Sequence, residues 1–389
     1  MIQRNISKIF LISLIFLVPL PNIGTDIYTP SLPAIISNLM STPVLIKWTV
    51  IIYFMMYGVG QLIFGPVSDI FGRRRLLILS IVCLIIFSFV AGSSDTFKSL
   101  FIARLFQGLS VSIISVVTKA MLTDKFQGKD LEKASAYKVM AQTLSIIFAP
   151  LLGAYIQLYF NWRYTFYSLA CYSTVCLIFA WFFIAETSEY RNCSNIKSIL
   201  NNFYLICRHR GFMFMTCSTS MLYSAVALFA LHGSFIIQNQ LRYNSIIYGI
   251  SAFFCGLSYI IGSLVSVRFS GYRKNLLAFF LSLFGAIALI IMGESRSVDI
   301  QLILVSVLSV MFACGLVLPG VMRYTLSLFR EQAGTASAIF GALVMVGMSL
   351  FLAISGIFNS TVSCLGISYL VSVAIVAALL IPGNLYKNL

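Results

Sequence analysis

Twelve apolar stretches, each near the ~20 residues that hydrocarbon requires, follow one another through this chain of 389 residues, with short polar connections between them. No other feature narrows the fold so sharply. A bilayer offers no water to a peptide group, so a spanning segment must close its own hydrogen bonds, and a helix does so within one segment. The spans fall at 9–29, 45–65, 76–93, 99–122, 134–158 and 163–185, then 212–238, 246–269, 275–293, 300–322, 333–357 and 361–382. The first can continue past Thr29 despite Pro30 and Pro33, which would bring Asp26 nearer mid-membrane. Only 10% of the residues are charged, against about 25% in a soluble globular domain, so that class is excluded. The expected architecture is an all-α polytopic membrane protein of twelve transmembrane helices.

The longest hydrophilic stretch, Glu186 to Arg210, divides six spans from six. We therefore expect an N-terminal six-helix bundle over 1–188, a cytoplasmic linker over 189–210 and a C-terminal six-helix bundle over 211–389. A faint echo makes the bundles pseudo-symmetric. GPVSDIFGRRRLL (Gly65–Leu77) follows the second span and GSLVSVRFSGYRKNLL (Gly262–Leu277) the eighth, the second copy having no acid and a longer glycine spacing. Six-plus-six with related halves suits a carrier whose site lies between them.

A net charge of +15 would point to nucleic acid in a soluble protein. Here its placement points to a membrane. If Arg4 and Lys8 are cytoplasmic, twenty of the 26 Lys and Arg residues share their side, and five (Lys47, Lys98, Arg163, Arg242, Arg296) take the other. That asymmetry is the positive-inside pattern; it places both termini in the cytoplasm and leaves no nucleic-acid partner. Nine cysteines without a CxxC pair read as small buried hydrophobes. The N-terminus imitates a signal peptide but lacks a small-x-small cleavage site, and Pro19, Pro21 and Asp26 interrupt it, so it stays as the first span.

Asp26 closes the first apolar run, which is otherwise uncharged. A carboxylate in hydrocarbon is costly unless paired, hydrated or protonated, so it is a candidate functional group. The alternative is a solvated carboxylate at the outer headgroup level. Asn22 and Thr29 lie about one turn to either side, and Tyr53, Tyr57 and Gln61 form an i, i+4, i+8 stripe on the second span; all suit an inward polar face. Arg104, in RLFQG on the fourth span, must turn to the bundle interior unless it snorkels, and Gln107 shares its face. His232 and Tyr223 on the seventh span are looser candidates for a cavity wall; His232 is a candidate second titrating group, though a lone histidine on an apolar helix is more often a hydrogen-bonded core residue. No phosphate-cradling GxxxxGK[ST], HExxH or nucleophile elbow occurs. We expect no enzyme activity, no cofactor, no metal, and an ion gradient as the energy source.

GPVSDIFGRRR resembles the signature loop between helices 2 and 3 of the major facilitator superfamily, with Gly65, Asp69, Gly72, Arg73 and Arg74 matching and Val67 and Ile70 departing. Two glycines there permit a tight turn. The resemblance implies that Asp69 and Arg73 latch a cytoplasmic gate. RLFQG resembles the superfamily's second signature, which implies a part for Arg104 in proton coupling. TDIYTPSLP, NWRYTFY (Asn161–Tyr167), AETS (Ala185–Ser188) and LPGVMRYTLSLFREQAGTASAIFGALVMV (Leu318–Val346) resemble drug:proton antiporters of the bicyclomycin-resistance type. The fifth span keeps only Pro150 and Gly153 of their export motif, and Val18 stands where some relatives have a second acid. The resemblance implies a monomeric inner-membrane exporter of small amphipathic solutes or drugs, driven by protons carried on Asp26. A proton-linked or facilitative importer on the same fold and a non-transporting membrane sensor are the alternatives.

Overall fold

The computed structural model describes residues 2–187, 203–269, 271–295, 299–329 and 333–380, apart from the side chains of residues 2–8, Asp69, Tyr272, Ala333 and Leu380. The first span is a broken helix: α1 (Ile2–Leu17), α2 (Leu20–Asp26), a 3-10 turn (Thr29–Ser31) and α3 (Leu32–Asn38). It is followed by α4 (Pro43–Phe71), α5 (Arg73–Gly92), α6 (Phe97–Lys125), α7 (Gly128–Tyr159) and α8 (Trp162–Phe183). The second half comprises α9 (Arg210–Phe235), α10 (Ser245–Arg268), α11 (Tyr272–Glu294), α12 (Ile300–Ser327), α13 (Ala333–Gly356) and α14 (Val362–Leu380).

Twelve helical spans long and apolar enough to cross a membrane result, and no strand occurs among the described residues. The first runs from Ile9 to Asn38, past the expected end at Thr29, because Pro21, Pro30 and Pro33 each sit at the start of a new helical piece. There a missing N–H leaves nothing unbonded. Of the expected linker 189–210, residues 189–202 lie outside the described residues. Ile206, beyond them, is buried with Phe212, Ile339 and Phe340.

The halves repeat one packing scheme. α4 and α5 flank α6, and α5 also packs on α8; in the second half α10 and α11 flank α12, and α11 packs on α14. Across the interface α4 meets α13 and α7 meets α10. Glycines allow the close approach: Gly58 lies against Val346 and Ala342, and Gly256 against Ile147.

Polar ties between the halves crowd one end, that away from the Arg-rich loop. Lys47 Nζ donates to the carbonyls of Phe358 (2.6 Å) and Gly356 (3.4 Å), Gln238 to Pro30 (2.8 Å), and Ser245 to Ala154 (3.1 Å). Toward the basic end, Lys119 donates to Ser337 Oγ.

Candidate functional site

The break in the first span organises the polar interior. With α2 stopping at Asp26, the Gly24 carbonyl is taken up by Arg104 rather than by the next turn, Nη1 donating to it at 2.7 Å. Nη1 also donates to Gln107 Oε1 (2.9 Å), and Nε to the Thr49 carbonyl (3.3 Å). The guanidinium carbon lies 4.3 Å from the Tyr28 ring centre and 4.2 Å from that of Tyr53, close enough for cation–π attraction, which is strongest where water is excluded. Arg104 is fully buried. Carbonyl dipoles and ring faces replace the water it gave up, and Nη2 alone has no hydrogen-bond partner.

The partners of Arg104 are themselves held. Tyr53 Oη donates to the Pro21 carbonyl (2.7 Å), Tyr28 Oη and Thr49 Oγ1 are 3.0 Å apart, and Gln107 Nε2 donates to Ser88 Oγ (2.9 Å). Gly108 lies where any side chain would run into the Tyr53 main chain, so RLFQG needs its glycine to bring α6 onto α4. Gly153 does the same for α7, meeting the main chain of Ile27 at the break. Pro150 is buried one turn before it. Asn22 faces α7, its Nδ2 donating to the Gln142 carbonyl and Ser145 Oγ, both at 3.2 Å.

Asp26 is half-buried beside the Thr25 hydroxyl. It forms no ion pair with Arg104; both residues are described and no such contact exists between them. The second half reaches the break through Tyr248, whose Oη donates to Thr29 Oγ1 (3.2 Å) while Thr29 donates to the Asp26 carbonyl oxygen (2.9 Å). Thr49, Ser88 and Tyr248 carry no sequence signal that would have singled them out, since each is defined only by what it touches; Tyr28 falls within TDIYTPSLP but is given no role there.

The remaining expected residues separate into groups. Tyr57 bonds Ser115 (3.0 Å), Gln61 lies against Gly341 of α13, and Tyr223 lies near Tyr57 from the opposing half. His232 is fully buried between Ser360 and Ser355, 2.9 Å from each. These two bonds are those of a hydrogen-bonded core histidine, the alternative expected for it. A cavity of about 320 Å³ between α9, α11, α12 and α14 takes in none of the expected residues.

At the basic end the loop between α4 and α5 is a single residue, Gly72, at φ +90°. Gly65 is not part of the turn as expected but lies inside α4. The main-chain N–H groups of Arg73 and Arg74 donate to Glu186 Oε1 (3.0 Å) and Oε2 (3.1 Å), so a carboxylate from beyond α8 caps α5. Arg73 pairs with Asp124, to which Thr187 also donates (3.0 Å). The Asp69 side chain lies outside the described residues. Glu186 and Asp124 were not anticipated in these roles.

Residues 20–352 match the family model of the Major Facilitator Superfamily. The chain belongs to this superfamily. It is 27% identical over 380 residues to an uncharacterized transporter of Rickettsia felis, covering 93% of each chain. It is 27% identical over 239 residues to a bicyclomycin resistance protein homolog of Haemophilus influenzae, covering 60% of this chain and 59% of that one. A crystal structure of a D-xylose-proton symporter superposes with a TM-score of 0.74 at 15% identity over 98% of both chains. As a superfamily member the chain is an integral membrane transporter and not an enzyme, and its two six-helix bundles are the superfamily fold.

Proposed function

We propose that this transporter exports small amphipathic solutes or drugs in exchange for protons, with Asp26 as the proton carrier. The observation that carries the reading is the separation of two charges at one break. Asp26 sits half-buried with no cation beside it, while the Arg104 guanidinium is committed to carbonyls and rings and keeps Nη2 open. An isolated carboxylate in such a site favours its protonated form, and a guanidinium brought closer favours the charged one. A small movement of the break thus alters proton affinity, as alternating access demands.

Several features support the rest of the reading. The fixing of the break to both α7 and Tyr248 means that relative motion of residues 1–188 and 211–389 acts on Asp26 directly. The charge asymmetry favours a cytoplasmic side for the basic end and both termini, and the bacterial relatives favour an inner membrane. The name of the Haemophilus influenzae relative favours drug efflux. The Gly72–Arg73–Asp124–Glu186 cluster, with Asp69, then belongs to the cytoplasmic gate, and Tyr57, Gln61, Gln107 and Tyr223 to the path.

Reconstitution into vesicles with an imposed proton gradient tests this. Asp26→Asn should remove proton-driven accumulation of a drug such as chloramphenicol while counterflow exchange persists. An Asp26→Asn protein that still concentrates the drug on protons would show the carrier to be another group.

A further inference from the structure

The wall of the first half that faces the basic end carries two lysines, Lys119 and Lys138, with no ion pair among the described residues. Lys138 stands ten residues inside α7 and lines a polar cavity with Tyr57, Ser115, Thr118 and Gln142. That cavity measures about 20 Å³, room for about one water, so this conformer is closed around it. No ion pair or hydrogen bond ties the Lys138 ammonium to any described residue. Lys119 of α6 is within its electrostatic reach and is the residue that crosses to Ser337 of α13.

The described acids are engaged or elsewhere, and Asp26, at the break, pairs with neither lysine. Asp124 and Glu186 hold the loop before α5, and Asp130 and Glu132 are exposed on the first turns of α7. Asp95, Glu294 and Asp299 lie at the far end of the bundle. Topology alone explains lysines at a helix end, where the chain can snorkel to water. It does not explain one that reaches inward to share a cavity with Tyr57, midway along α4. Two like charges in a partly desolvated site repel, and an anion between them relieves both.

We propose that this wall binds the carboxylate of a small amphipathic acid, with Lys138 as its ion partner and Lys119 joining when the basic end opens and Ser337 withdraws. The apolar body of the solute would lie toward Tyr57 and Tyr223. The inference rests on the reading of the chain as a carrier of amphipathic solutes, and names the charge of the solute.

Three probes of matched size, 4-phenylbutyrate, 4-phenylbutanamide and 4-phenylbutylamine, separate the charge from the body in calorimetric titrations of the purified protein at pH 7. The acid should bind at least tenfold more tightly than the amide or the amine. Lys138→Gln should remove that preference, and Lys138→Arg, which keeps the charge, should restore most of it with unchanged thermal unfolding. Equal binding of all three probes, or a preference that survives Lys138→Gln, would overturn the proposal. So would competition by inorganic phosphate or phosphatidylglycerol in the micelle as strong as by the acid, since the site would then be a general anion or lipid contact. Binding at equilibrium does not need proton coupling. A proton-driven Asp26→Asn protein beside a Lys138-dependent acid site would sink Asp26 as the proton group and leave this inference standing; the converse pair of results would do the reverse.

Discussion

Arg104→Met asks whether this arginine is first a brace for the break or first a proton partner. In the structure it satisfies three buried acceptors: the carbonyls of Gly24 and Thr49, and Gln107 Oε1. Each buried acceptor left without a donor costs about 1–3 kcal/mol, so the three together set a range of about 3–9 kcal/mol. Methionine fills similar space between Tyr28 and Tyr53 and removes the cost of burying a charge, which pulls the net loss toward the lower half of that range. Reversible unfolding in mixed micelles, followed by the fluorescence of buried Trp162, would measure it. Trp162 packs on Phe166, itself 5.9 Å from the guanidinium carbon. Arg104→Lys keeps a charge but not the fork, and should recover less than half of the loss. If Arg104→Met unfolds like the parent while losing proton-driven transport alone, the bracing argument fails and the arginine acts on the proton directly.

Two other substitutions probe neighbouring contacts. Gly153→Ala drives a methyl into the Ile27 main chain, which no side-chain rotation can relieve; it should cost about 1–3 kcal/mol by overpacking in the same unfolding assay, whereas Gly334→Ala meets no neighbouring atom and serves as the comparison. Lys47→Met removes the donor that holds the Gly356 and Phe358 carbonyls across the far end; spin labels at exposed Met40 and Tyr243 should then show a longer-distance population, and an unchanged distribution would mean that the seal rests on packing.

Much of the fold was legible because lipid imposes it locally. A run of about twenty apolar residues must close its own hydrogen bonds wherever its neighbours lie, so the spans and the twelve-helix class follow from periods and lengths. The helix starts are local as well: Thr42, Thr96, Asn161, Asn244 and Asp299 each accept from an N–H two or three residues on, a signal that the span limits read from hydropathy did not use. Asp26, Arg104 and Gln107 stood out as polar residues where lipid tolerates few, and the structure gathers Arg104 and Gln107 against the break that ends at Asp26.

What the chain's order could not reveal was which groups share a hydrogen bond across eighty residues. Arg104 stood out through its charge and its resemblance to a proton-coupling motif; the structure gives it to the Gly24 and Thr49 carbonyls, acceptors that every residue possesses and that no residue type announces. His232 was open between a cavity wall and a core position, and what it bonds, two serines of its own half, is visible only in the bundle. Gly65 and Gly72 looked alike, and only Gly72 takes the positive φ that a one-residue turn demands. Helix formation is a property of a segment and can be read from it, whereas partnership between buried polar groups belongs to the packed bundle and exists only there.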